Sequence, residues 1–124
     1  MTSTMSELRT VATPAATMRT YASPSTEPPA DVAVWRTELP AGTAGPLHSI
    51  DRDHVVVVVE GTVDVLLGGE QLHVPSGASI VLPAGVPRRI AAAAGSPAVT
   101  VTSARPDSRA TVGDGEPVEV PWAR

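Results

Sequence analysis

The sequence predicts an all-β protein, and three observations carry that expectation. Apolar residues make up 42% of 124, yet there is no Phe, and only two Trp and one Tyr, so Val, Leu, Ile and Ala must fill the core. Valine is β-branched and suits a pleated sheet better than a helix. Thirteen prolines and ten glycines cut the chain into short pieces, as turn-rich β-proteins require. The short apolar runs between them argue for a sandwich or a small barrel. At this length one domain is expected.

Residues 1–30 are rich in Thr, Ser, Ala and Pro, and SPSTEPPAD (23–31) reads as a linker. We expect a flexible segment here, with ATMRTYAS (16–23) as a candidate strand at a sheet edge or across a dimer interface. Regular structure is expected over 31–106. DVAVWRTEL (31–39) forms a strand that Pro40 stops, PAGTAGP (40–46) is a loop, and LHSI (47–50) is short and extended. HVVVVVEG (54–61) shows no alternation and reads as a strand buried on both faces. TVDVLLGGEQLHV (62–74) is a hairpin around Gly68–Gly69. ASIVL (78–82) is a strand, followed by the turn PAGVP (83–87). The alanines of RRIAAAA (88–94) have helical propensity. Pro87 and Gly95–Ser96–Pro97 bound them and their neighbours are strands, so a strand is expected. AVTVTSA (98–104) completes the series. Residues 107–124 read as a polar, turn-rich tail with one anchor-like aromatic, Trp122.

The formal charge is −4 and no basic block is present, which removes support for nucleic-acid binding. The longest apolar run is far too short to span a membrane, and the N-terminus lacks the apolar region of a signal peptide. No membrane association and a cytoplasmic location are the expectations. Without cysteine there are no disulfides, thiolate metal sites or cysteine nucleophiles.

Two clusters carry the chemistry. Gly42, His48, Ile50, His54 and Gly61 form one register, and Gly77, Pro83, Gly85, Arg88 and Ala92 a second. This register resembles the two motifs of the cupins. Their first motif runs glycine, five residues, His-x-His, three or four residues, glutamate, six residues, glycine. Their second runs glycine, five residues, Pro-x-Gly, two residues, histidine, three residues, asparagine. The resemblance covers roughly residues 32–104 and implies an antiparallel jelly-roll β-barrel of the small single-domain kind. It also implies a metal site of three histidines and a carboxylate, or of four histidines. His54 stands in the glutamate position, as in the four-histidine kind, while Ile50 and Arg88 replace two of the ligands. Small cupins are commonly dimers, so the resemblance implies a homodimer.

Elementary chemistry bears on that substitution. Residues 48 and 50 are two apart on one strand and share a face. Ile50 has no lone pair, and Arg88 stays protonated and repels a cation. His48 and His54 alone hold a divalent ion only with help from water, substrate or another carboxylate. The expectation is no tightly held metal, with weak or residual binding at His48 and His54 as the exception. Of the adjacent cations Arg88 and Arg89, one must face inward, and motif register selects Arg88. A buried guanidinium needs an anionic partner, either a substrate oxyanion or a protein acid.

Asp51, Arg52 and Asp53 read as a solvated loop, although Asp53 is adjacent to a ligand position. His73 is expected to face solvent. Three functional readings stay open. One is an enzyme that isomerises, cyclises or dehydrates a small oxygenated, partly apolar molecule. There His48 or His54 is the acid or base and Arg88 steadies an oxyanion. Its cavity is walled by Ile50, Val56, Val58, Ile90 and Trp35. The second is a metal-dependent oxygenase using His48 and His54. The third is a non-catalytic module that binds a small ligand in the same cavity.

Overall fold

The computed structural model describes residues 2–124. Two antiparallel faces pack together as a jelly roll. The larger face has six strands: β1 (Arg9–Ala12), β2 (Thr17–Ala22), β3 (Ala33–Leu39), β5 (His54–Glu60), β8 (Ser79–Leu82) and β10 (Ala98–Ala104), in the order β1-β2-β3-β10-β5-β8. Opposite it lie two three-stranded sheets. One orders β7 (Glu70–Pro75), β6 (Thr62–Leu67) and β9 (Arg88–Ala92). The other orders β12 (Val118–Glu119), β11 (Arg109–Thr111) and β4 (Ser49–Ile50). An antiparallel bridge between His48 and Arg88 joins these two sheets, and the two residues exchange backbone hydrogen bonds of 3.0 and 2.7 Å. That bridge sets two of the candidate site residues side by side.

The elements follow from local chemistry. Gly68 and Gly69, both at positive φ, form the two-residue turn of the β6–β7 hairpin, a turn that left-handed backbone makes cheap only for glycine. The alanine-rich segment is a strand, β9, because β6 supplies its hydrogen-bonding partner along the full length. The core is aliphatic, as the composition requires: Val56, Val58, Val63, Val65 and Leu82 are almost fully buried. Each such side chain contributes about 1.5–3 kcal/mol relative to exposure.

Three expectations are corrected. The flexible segment expected over 1–30 carries, in its described part, two paired strands: β1 and β2 extend the larger sheet, and β2 lies between β1 and β3 of the same chain. The strand within 16–23 therefore has no edge to offer a partner. The valine run is not buried on both faces either. His54, Val56 and Val58 point inward, whereas Val55, Val57 and Val59 point outward and are 39–42% exposed. Five consecutive valines hide the alternation that the sheet imposes. Residues 107–124 are more than a tail, because β11 and β12 pair beside β4 and the last residues fold back on β2. Among the described residues no helix is long and apolar enough to cross a membrane.

Candidate functional site

Between the two faces lies a cavity of about 290 Å³, at the small end for a ligand pocket. His48, Ile50, His54, Val56, Arg88, Ile90 and Trp35 line it, as the motif register and strand alternation predict. Val58 does not: it faces inward but is buried in the core with Val63 and Val65. The sequence reading missed wall residues from the chain ends, notably Met18 on β2 and Val120 and Trp122 beyond β11. Trp122 was visible as an anchor, but nothing in its neighbourhood signalled a cavity wall. A broader depression of about 640 Å³ lies over Arg9, Tyr21 and Pro28, away from the histidines. Arg9 there already donates to Ser25 Oγ and to the backbone oxygen of Arg124.

Arg88 is aimed by the turn that precedes it. Its Nε donates to the Val86 carbonyl at 3.0 Å and its Nη2 to the Pro83 carbonyl at 2.6 Å. The same turn is tied to β4, since Gly85 N–H donates to the Ile50 carbonyl at 2.7 Å. Nη1 is buried and has no hydrogen-bond partner among the described residues. Arg88 is 1% exposed, while Arg89 faces out, as register and alternation predict. Burial lowers the guanidinium's pKa, and the charge of Asp53 partly offsets this. Asp53 makes no ion pair with it. Its Oδ1 accepts the Ala84 N–H at 2.8 Å instead, which keeps it in the loop rather than in a ligand position. Arg52 pairs with Asp107 at 2.9 Å, and His73 is exposed beside Asp64.

Both cavity histidines favour the neutral form. Burial is the main cause for each, reinforced by the charge of Arg88. For His54 the value is pulled down to about 4. His54 is buried and meets Trp35 edge to face at 5.4 Å between ring centres, a favoured geometry for two π-systems. His48 is half-buried, and its Nδ1 donates to the Pro46 carbonyl at 3.0 Å. A carbonyl cannot donate, so the Nε2 of neutral His48 carries the lone pair.

The resemblance to cupins raises the question of a metal at this position, and the donor set does not fit one. His48 and His54 supply two imidazoles, Ile50 supplies hydrocarbon, and Arg88 supplies a positive charge. Among the described residues no group of three or more His, Cys, Asp or Glu side chains is placed to hold an ion. A firmly held divalent ion needs more lone pairs and tolerates no buried cation beside it.

Residues 35–103 match the sequence profile of the cupin domain, so the chain belongs to the cupin family. Comparison with curated protein sequences found no match. Among solved structures, the chain is similar to the polyketide cyclase RemF from Streptomyces resistomycificus. The identity is 22%, 85% of this chain and 78% of that one are covered, and the TM-score is 0.71. It is also similar to a cupin 2 domain-containing protein from Halorhodospira halophila, with 18% identity, coverage of 86% and 70%, and a TM-score of 0.70. A third likeness is to salicylate 1,2-dioxygenase from Pseudoaminobacter salicylatoxidans, at 19% identity and TM-score 0.71; it covers 86% of this chain but 31% of that one. At these identities the likenesses establish the fold.

Proposed function

We propose that this cupin is an enzyme of the cyclase or isomerase kind. It acts without a tightly held metal on a small oxygenated, partly apolar molecule. The observation that carries the reading is the buried Arg88 guanidinium with Nη1 unpartnered, beside two imidazoles that burial keeps neutral. A neutral imidazole removes the proton from a carbon next to a substrate carbonyl. The developing enolate oxygen takes the hydrogen bond that Nη1 lacks. The imidazolium then returns the proton to a different carbon of the conjugated enolate, which shifts the double bond and isomerises the substrate, or the enolate carbon attacks a second carbonyl of the same molecule, which closes a ring. In the second case the imidazolium returns its proton to the new alkoxide. The apolar walls exclude water and strengthen the cation's field. The likeness to a polyketide cyclase supports the cyclising variant.

The test is turnover of a panel of compounds that carry two or more carbonyls spaced for ring closure, followed in the presence of a chelator. Ring closure or double-bond migration that survives chelation is expected. Turnover that requires an added metal ion and oxygen would point to an oxygenase instead. Tight binding without turnover of any compound would make the cavity a binding site.

A further inference from the structure

The geometry points to Ser108 as the positioning residue of His54: its hydroxyl fixes the ring tautomer so that Nδ1, and not Nε2, carries the basic lone pair. The His54 Nε2 and Ser108 Oγ atoms are 3.3 Å apart, and Ser108 is fully buried. A hydroxyl has one proton, and that of Ser108 is committed: Oγ donates to the Arg105 carbonyl at 2.7 Å. The carbonyl has nothing to donate, so the direction is settled. Ser108 Oγ is then an acceptor toward His54, and Nε2 must hold the ring proton.

The serine itself is held from several sides. Its N–H donates to the same Arg105 carbonyl at 3.2 Å, and its carbonyl accepts from Arg124 Nη2 at 3.3 Å. The next residue, Arg109, gives its N–H to Asp51 Oδ1 at 2.7 Å and accepts the Asp51 N–H at 3.1 Å. The 105–109 turn is thus pinned to the loop between the two histidines. The outcome is a complementary pair: His48 is protonated at Nδ1 with a free Nε2, and His54 is protonated at Nε2 with a free Nδ1. Each ring proton is taken by a protein acceptor, the Pro46 carbonyl in one case and the Ser108 hydroxyl in the other. A hydrogen bond to the second ring nitrogen commonly selects the reactive one in this way.

The catalytic meaning of this arrangement rests on the function proposed above, but the tautomers themselves do not. The experiment is long-range ¹H–¹⁵N correlation on the histidine rings at neutral pH. The chain has three histidines, and single His→Gln variants assign them. In the wild type, His54 should show a protonated Nε2 and an unprotonated Nδ1, with His48 showing the reverse. Ser108→Ala should leave His54 a mixture of tautomers and His48 unchanged, and Ser108→Thr should restore the wild-type pattern. His54 protonated at Nδ1 in the wild type would overturn the assignment. So would a Ser108→Ala spectrum identical to the wild type. If Ser108→Ala does not fold, the wild-type spectrum and Ser108→Thr still decide the matter. The predicted tautomers in a protein that turns nothing over would refute the enzyme reading and leave the role of Ser108 standing. The opposite tautomer in an active enzyme would do the reverse.

Discussion

His54 couples stability to pH. Burial, aided by the charges of Arg88 and His48, pulls its imidazole from 6.5 down to about 4. Between those values the unfolded chain takes up a proton that the folded chain refuses. Stability is therefore unaffected above about pH 6.5 and falls as the pH drops toward 4, by ~3 kcal/mol at most from this residue. Urea midpoints at pH 7 and pH 4.5 measure this loss, which should shrink in His54→Gln. An unchanged pH dependence in that variant would refute the burial of a neutral ring. Much of this residue-level picture was legible in the sequence. Motif spacing placed His48, His54, Ile50 and Arg88, and strand alternation turned Arg88 rather than Arg89 inward. Ser108 was not legible, because it reaches His54 through a turn 54 residues away and no local pattern marks it.

At the scale of elements, the turn after β5 is the tightest constraint. Gly61 has φ +74, and a Cβ there would lie 2.5 Å from the Pro97 carbonyl oxygen. Backbone cannot step aside as a flexible side chain can, so both the conformation and the contact oppose substitution. Gly42 has a similar φ of +79, but open space surrounds its Cβ position. Gly61→Ala should thus destabilise well beyond the roughly 1 kcal/mol expected for a strained left-handed residue alone, and Gly42→Ala by about that amount. Thermal melts of the two variants compare them directly, and equal losses would remove the contact from the explanation. The central strands were readable from their apolar runs and turn residues. The chain-end strands β1, β11 and β12 were not, because each is short, largely polar and defined by its partner. The last residues of the chain are held by the N-terminal part: Thr20 donates to the Trp122 carbonyl at 2.7 Å, and Ser23 to the backbone oxygen of Arg124 at 2.8 Å. The first of those bonds anchors Trp122, a wall residue of the cavity.

At the scale of the whole molecule, the outer face of the larger sheet exposes Val55, Val57, Val59 and Val81, at 39–54% each. They are contiguous, since Val55, Val57 and Val59 share one face of β5 and Val55 pairs with Val81. We predict a homodimer that covers this patch. Sedimentation at micromolar concentration should show a dimer that Val57→Glu dissociates, and a monomeric wild type would contradict this. The fold keeps the cupin frame of glycines and the Pro83–Gly85 turn while exchanging two ligand positions for a hydrocarbon and a cation. Under the proposed function, the Arg88 cation does the work of a metal's charge. The most direct measurement is the turnover of Arg88→Met against wild type, both assayed in chelator on a substrate that the wild type converts. Loss of an oxyanion donor should lower kcat by ~10²–10³, with Arg88→Lys recovering part of it and the circular dichroism spectrum unchanged. Full activity in Arg88→Met, or wild-type activity abolished by the chelator, would contradict it.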